Sequence, residues 1–216
     1  MTYFAHTDFY NYFLKKIKKN TKQLSQKKVL KDMFKEIMKV SKNDLLVPTY
    51  NFDFVKTKKF NFKKDNSHVG TFSEMFRKKY INNRTLTPMF PTCGSLKKYN
   101  FYKNNYFDPF GKKSEFDYLV KKNGKIINFG AKFAPSFIMF IERSNKNGAL
   151  YRYGKLFNGK TFKNGKYIKC KLYFEVRPKK IIIEYDLKKL KKDLLRLKIM
   201  EIKRTSDNFT YEEIDA

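Results

Sequence analysis

The sequence contains few histidine and cysteine side chains that could act in acid–base, nucleophilic or metal-binding chemistry. Only two histidines, His6 and His68, occur among the 216 residues, so any proton-transfer mechanism has a short list of bases. Cys93 and Cys170 lie far apart, with no CxxC pair and no nearby pair of histidines, so we predict reduced thiols and no zinc site. Cys93 has no adjacent base in the chain, although a base could arrive from elsewhere in the fold.

The charge of the chain is extreme and invites a polyanion as partner. The formal net charge is +29, which would attract nucleic acid, a membrane surface or an anionic cofactor. Only 7 of the 49 basic residues are Arg, the residue favoured for planar recognition of phosphates and bases. The excess of Lys therefore indicates a compositional bias more than a binding face, and we predict no specific nucleic-acid partner.

The sequence has neither the start of a secreted protein nor a membrane span. The first residues lack a basic segment before an apolar run, and no apolar stretch approaches the roughly 20 residues that cross a bilayer. The chain also contains no GxGxxG, Walker, HExxH or GxSxG motif. We expect a cytoplasmic protein.

The first half of the chain alternates predicted strands and helices. Residues 2–6 predict a short strand, and residues 45–50 a buried strand that Pro48 interrupts, as at a sheet edge or a strand end. Residues 24–40 place apolar side chains at helical spacing. Thr71 and Glu74 form a T-x-x-E capping box ahead of an amphipathic helix. In this pattern, polar and titratable residues that could form a functional site occur where strands end and helices begin.

The second half continues the pattern. Residues 125–131 predict a strand after an Asn-Gly turn, and 136–145 a helix. The remaining predicted elements are strands at 168–176 and 181–185 and a helix at 186–204. We predict one α/β domain, residues 1–205, with a central mixed sheet flanked by helices, and a polar, frayed tail at 206–216.

Seven segments occur in one order and carry a resemblance. They are AHTDF (5–9), LLVPTYNFDF (45–54), SHVGTFSEMFR (67–77), RTLTP (84–88), FGKKSEFDYL (110–119), KIINFGA (125–131) and SFIMFIE with YRYGKLFNG (136–159). Together they resemble the aminoglycoside 3-N-acetyltransferase family, especially its divergent members found among surface-polysaccharide genes. The resemblance covers about residues 3–160.

This resemblance implies an activity. Members of that family transfer acetyl from acetyl-CoA directly to an amine on a sugar ring, without a metal and without a covalent enzyme intermediate. A base accepts the amine proton, and hydrogen-bond donors stabilise the tetrahedral oxyanion. The resemblance therefore implies acetyl-CoA as cosubstrate and an amino sugar, of aminoglycoside type or linked to a nucleotide, as acceptor.

The residues that the resemblance assigns to acetyl-CoA come from three motifs. The family's H-S-S-L matches His6, Thr7, Asp8 and Phe9, its P-T-F/Y includes Thr49, and its R-S-x-H-P includes Arg84, Thr85 and, in place of His, Thr87. The implied cofactor contacts are Thr7, Asp8, Thr49, Arg84 and Thr85. Asp8 departs from the family Ser and brings a charge of the wrong sign for a site near phosphates.

The acceptor side of the implied site departs further from the family. The family's T-F-x-H-Y-x-E matches Ser136, Met139 and Glu142, so the expected catalytic His is replaced by Met139, which cannot accept a proton. His6 and Glu142 remain as candidate bases, and Glu74, Ser136 and Met139 as implied substrate contacts. Each also has a structural alternative: a buried histidine, a solvated helix residue, or a cap.

Three functions follow from these observations. The first is an acetyl-CoA-dependent N-acetyltransferase, and the second is a family member that keeps the fold without catalysis. The third is a nucleic-acid-binding protein, which would expose aromatic side chains among the lysines, whereas most aromatics here have core spacing. The 20 acidic residues also argue against a polycationic aminoglycoside as acceptor, and favour a sugar with a single amine.

Overall fold

The fold is known from a computed structural model, which describes residues 1–19, 24–133, 136–145, 148–180, 182 and 184–216. Its strands are β1 (Tyr3–Thr7), β2 (Leu45–Pro48), β3 (Lys59–Phe60), β4 (Thr92–Gly94), β5 (Tyr106–Phe107), β6 (Lys125–Phe129), β7 (Tyr153–Lys163), β8 (Lys166–Val176), β9 (Met200–Arg204) and β10 (Thr210–Asp215). Its helices are α1 (Phe9–Lys19), α2 (Gln26–Val40), α3 (Phe54–Thr57), α4 (Thr71–Lys79), α5 (Glu115–Lys121), α6 (Ser136–Ser144) and α7 (Leu187–Arg196). Among these described residues, no helix is long and apolar enough to cross a membrane.

A mixed sheet forms the centre of the described fold, with the strand order β4-β2-β1-β6-β10-β9. β1 is parallel to both β2 and β6, whereas β4, β10 and β9 join antiparallel to their neighbours. Helices α1, α2 and α4 cover one face, and α5 and α6 cover the other. The predicted α/β domain with a central mixed sheet flanked by helices is therefore confirmed.

Strand β1 divides its side chains between two cores. Tyr3 and Ala5 pack on the α1 and α2 side, while Phe4 packs on the α5 and α6 side. The alternation of side chains in a strand explains this division. Because β1, β2 and β6 are parallel, their carboxyl ends meet at one edge of the sheet, where three of the seven sequence segments come together.

A second sheet was not expected from the sequence. Its order is β3-β7-β8-β5, and β7 and β8 form a long antiparallel hairpin. The hairpin turns at Asn164 and Gly165, both with positive φ, which is the conformation that an Asn-Gly turn favours. A phenylalanine-rich core, including Phe54, Phe60 and Phe157, lies against this sheet.

The prediction of a polar, frayed tail at 206–216 is wrong. Residues Thr210–Asp215 form β10, which lies inside the central sheet between β6 and β9. Tyr211 and the preceding Phe209 pack in the core on the α1 and α2 side, and Ile214 packs in the core on the α5 and α6 side, because both faces of the sheet are covered there. The domain therefore continues past residue 205 to the end of the described chain.

The C-terminal helix is shorter than predicted. It is confirmed from Leu187 to Arg196, but Lys198 takes a left-handed φ of 57° and residues Met200–Arg204 continue as β9. The spacing of the leucines alone does not indicate that the helix ends at Arg196. The predicted strand 181–185 falls partly outside the described residues, since 181 and 183 are not described, and Ile182, Glu184 and Tyr185 belong to no strand.

Candidate functional site

A cleft of about 640 Å³ opens at the carboxyl edge of β1. Thr7 and Asp8 line it from the β1–α1 junction, and Gly70 and Thr71 line it from the start of α4. Lys132, after β6, adds a positive charge. The fold thus brings the AHTDF and SHVGTFSEMFR segments to one surface, as the resemblance requires of a shared site.

Gly130 and Asp8 fix the shape of this edge. Gly130 has a φ of 77°, and a Cβ there would lie 2.8 Å from the carbonyl oxygen of Asp8, so the position requires glycine. The Asp8 carboxylate accepts hydrogen bonds from the backbone N–H of Asn11 at 3.1 Å and from its side-chain amide at 2.9 Å. Asp8 therefore caps α1, which accounts for its charge beside an expected phosphate-binding region.

His6 precedes Thr7 in β1 and is buried. Its ring centroid lies 5.1 Å from that of Phe4, and its Nε2 has no hydrogen-bond partner among the described residues. Burial lowers the pKa of His6 to about 4. The imidazole is therefore neutral near pH 7 with an unpaired ring nitrogen, and the lowered pKa makes it a weak proton acceptor while it stays buried.

Three residues assigned to the cofactor lie in the interior instead. Thr49 and Arg84 are completely buried and Thr85 is 3% exposed. The Arg84 guanidinium donates to Thr49 and to the carbonyls of Phe62 and Asp65, and the Thr85 hydroxyl accepts from the backbone N–H of Thr92 at 3.0 Å. In this structure these side chains brace loops, and we retain only Thr7 and Asp8 as candidate cofactor contacts.

Glu74 does not form the predicted capping box. The N-cap of α4 is Gly70, without a side-chain cap. Glu74 instead accepts a hydrogen bond from the backbone N–H of Ser67 at 2.8 Å and two from Arg77 at 2.7 Å. Burial alone would raise the pKa of Glu74, but these bonds lower it overall. The carboxylate fixes the 67–74 turn and lines a shallow cleft beside Thr71.

Helix α6 holds the three residues of the divergent acceptor motif. Ser136 hydrogen-bonds the Tyr50 hydroxyl, and Met139 packs half-buried against the core. Glu142 accepts hydrogen bonds from the Tyr151 hydroxyl, from Arg152 Nε at 3.2 Å and from the Tyr185 hydroxyl at 3.2 Å. Glu142 lies on α6 and His6 on β1, and Pro135 lies outside the described residues.

Glu115 is a buried acid that the sequence motifs do not assign to the site. It begins α5, is 2% exposed, and accepts hydrogen bonds from Tyr102 at 2.7 Å and from Thr92 at 3.1 Å. Burial raises the pKa of Glu115 to about 7, despite the opposing effect of these bonds. Burial, and then the nearby charge of Glu115, raise the pKa of the Tyr50 phenol. Glu115 therefore changes charge close to neutral pH.

The cysteines are unsuited to nucleophilic attack. Both are free and buried, and Cys93 donates a hydrogen bond to the carbonyl of Tyr80 at 3.1 Å. Burial raises the pKa of Cys93 to about 12, so the thiolate is scarce near neutral pH. Among the described residues, no group of three His, Cys, Asp or Glu side chains is placed to hold a metal ion.

Comparison with known proteins finds similarity in structure and not in sequence. No protein-family model matches the chain, and no curated protein sequence is significantly similar. AAC-IIIb in a binary complex with CoASH superposes with a TM-score of 0.71 at 10% identity, covering 99% of this chain and 84% of the other. AAC-VIa bound to sisomicin has a TM-score of 0.64 at 11% identity, covering 99% and 85%. The YokD protein from Bacillus subtilis has a TM-score of 0.68 at 10% identity, covering 100% and 87%.

The chain has the fold of the aminoglycoside 3-N-acetyltransferases. The similarity extends along nearly its whole length, beyond the residues 3–160 on which the motifs rest. The resemblance predicted from the seven segments is therefore confirmed at the level of the fold. The sequence identity between this chain and these structures is only 10% to 11%.

Proposed function

We propose that the protein is an acetyl-CoA-dependent N-acetyltransferase whose acceptor is an amino sugar with one amine. The observation that supports it most is the full-length fold similarity to aminoglycoside acetyltransferases, one of them solved with CoASH and another with sisomicin. The cleft at Thr7 and Gly70 offers a place for the pantetheine arm, with Lys132 beside it as a positive charge.

The proposed reaction uses few groups of this chain. The acceptor nitrogen attacks the thioester carbonyl, a C–N bond forms, and the C–S bond breaks to release the CoA thiolate. The candidate acceptor of the amine proton is the unpartnered Nε2 of His6, which is buried on the face of β1 that carries Phe4 and lies outside the cleft lining, so proton transfer requires the acceptor amine to reach that face. Glu142 is the second candidate base, although its oxygens are occupied by Arg152 and two phenols.

The acceptor class follows from the electrostatics. An aminoglycoside carries several positive charges, and the surface here carries a large excess of lysines. The acidic groups near the cleft have other partners, because Asp8 caps α1 and Glu74 pairs with Arg77. A mono-amino sugar, linked to an anionic nucleotide or free, meets less repulsion.

A second candidate is a protein that binds acetyl-CoA without turnover. Met139 stands at the family's His position and packs into the core, which favours this alternative. Calorimetric titration with acetyl-CoA in low salt tests cofactor binding in both cases. We expect saturable binding that Thr7→Ala weakens several-fold and that Thr210→Ala, an exposed position outside the cleft, leaves unchanged.

The outcomes separate the candidates. Binding with release of free thiol in the presence of an amino sugar supports the transferase. Binding without thiol release with any amino sugar supports the non-catalytic alternative. Absence of saturable binding at millimolar acetyl-CoA contradicts both.

A further inference from the structure

A second cavity, of about 410 Å³, lies between the hairpin of the second sheet and the loop that follows β4. Thr85, Thr87 and Lys98 line one side, and Lys163 at the end of β7 lines another. None of its lining residues belongs to the cleft at Thr7. It is therefore a separate site, with its own chemistry.

The cavity concentrates positive charge, and no carboxylate occurs among the described residues that line it. Lys98 Nζ lies 4.2 Å from the centroid of the Phe62 ring, and Lys63 Nζ lies 5.8 Å from the same centroid. Burial, and then the charges of Lys163 and Lys63, lower the pKa of Lys98. Like charges held this close repel one another, and a bound anion would relieve the repulsion.

Thr87 supplies an unused hydrogen-bonding group at the cavity. It is completely buried, and its hydroxyl has no hydrogen-bond partner among the described residues. Buried polar groups are nearly always paired, so an unpaired hydroxyl in a cavity wall is available to a ligand that enters the cavity. A hydroxyl can donate to a phosphoryl oxygen, which also needs the positive charge that the lysines provide.

Aromatic side chains form the remaining wall. The Tyr99 and Phe101 rings are stacked, with centroids 5.4 Å apart and planes inclined by 10°. Phe101 is half-buried and lines the cavity, as does Tyr102. An aromatic surface beside basic groups is the usual arrangement for stacking a base while its phosphates are held. The volume exceeds what a lone phosphate needs.

We propose that this cavity binds a nucleoside diphosphate, with its phosphoryl groups between Lys98 and Lys163 and its base against Phe101. Two sources share this chemistry: the nucleotide part of CoA, and the nucleotide of a linked amino sugar. The site itself is independent of acetyl transfer, and only its assignment to the acceptor rests on the proposed function.

Calorimetric titration of the full chain with uridine diphosphate, without acetyl-CoA, tests the site. We expect one saturable site that Lys98→Ala weakens at least tenfold. The control Lys31→Ala removes the same charge from an exposed position on α2 and should change affinity less than twofold. Equal losses in the two variants, or no saturable binding, would overturn the proposal, because only diffuse attraction to a basic surface would then remain.

Thr87→Val gives a second readout that a structural role would not produce. Removing an unpaired buried hydroxyl should leave the unfolding midpoint unchanged or raise it, while uridine diphosphate binding weakens several-fold. Wild-type affinity in Thr87→Val would contradict the proposed contact. Competition then identifies the source: displacement of uridine diphosphate by CoA assigns the cavity to the donor nucleotide, and simultaneous binding assigns it to the acceptor. If the acetyltransferase proposal fails, the titration with uridine diphosphate still decides by itself whether this cavity binds a nucleotide.

Discussion

Arg84 Nε donates a hydrogen bond of 3.1 Å to the hydroxyl of Thr49, and Arg84 Nη2 donates one of 2.6 Å to the Thr49 carbonyl. Two side chains that the motifs assign to the cofactor are thus bound to each other inside the protein. The same guanidinium reaches the carbonyl of Phe62 at 3.0 Å. It joins the end of β2 to the 61–66 loop, so its first effect is on stability.

Arg84→Lys should lower the free energy of unfolding by about 3 kcal/mol, because it leaves buried carbonyls without donors. Burial lowers the pKa of Arg84 to about 9, and the nearby charge of Arg77 contributes. Urea unfolding measures the loss. The control Arg196→Lys, whose side chain is 74% exposed, should change stability by less than about 0.5 kcal/mol. An equal effect in both variants would contradict the bracing role.

Glu115 should make stability fall as pH rises toward neutrality. Its pKa rises from the ordinary 4.5 to about 7 in the fold, so the protonated form is the favoured one. Its contribution is complete below pH 4.5, declines between pH 4.5 and 7, and is then lost, with a total of about 3 kcal/mol.

Glu115→Gln provides the measurement, because subtracting its unfolding free energies from those of the wild type removes every other titrating group. The wild type should lose stability relative to Glu115→Gln across that pH window. A difference that is constant with pH would show that Glu115 ionises in the fold as it does in the unfolded chain.

His6→Ala should lower kcat for acetyl transfer by about 10²-fold, the usual worth of a general base. His68→Ala is the matched control, since His68 is the only other histidine and its side chain is 36% exposed. Thiol release under saturating acetyl-CoA measures both variants. Wild-type turnover in His6→Ala would remove His6 from the mechanism, whatever its effect on stability.

Glu142→Gln should also lower kcat by about 10²-fold if its carboxylate takes part in proton transfer. Its contacts with Arg152 and Tyr151 allow a structural role as well. The catalytic role and the structural role of Glu142 are distinguished by measuring the unfolding midpoint together with kcat. A lower midpoint with unchanged kcat would assign Glu142 to packing of α6 alone.

Several strands of the central sheet could be predicted because their own apolar residues identify them. The runs at β1, β2 and β6 are apolar and buried on both faces, and α2 shows clear helical spacing. Strands β9 and β10 could not be predicted in this way, because MEIKR and TYEEID are rich in polar residues and form strands only through pairing with each other and with β6. Tertiary pairing overrides weak local propensity there.

The meeting of two motif segments at one edge of the sheet also has a cause that the sequence pattern contains. Thr7 and Gly70 meet because parallel strands and the following helix bring their segments to one edge. The burial of Arg84 and Glu115 could not be read from residue type, since charged side chains are mostly exposed. The pairing of Glu74 with Arg77 instead of a cap depends on the path of the 67–70 turn, which the sequence does not specify.

The most direct test of the acetyltransferase proposal is kcat/KM for thiol release from acetyl-CoA with a panel of acceptors. The panel contains mono-amino sugars, their nucleotide-linked forms, and the aminoglycosides kanamycin and sisomicin, all in the same buffer at physiological salt. We predict measurable release with at least one mono-amino or nucleotide-linked sugar, and a higher kcat/KM than with either aminoglycoside. An aminoglycoside that exceeds every mono-amino sugar would contradict the acceptor class, and no release with any acceptor would contradict the transferase itself.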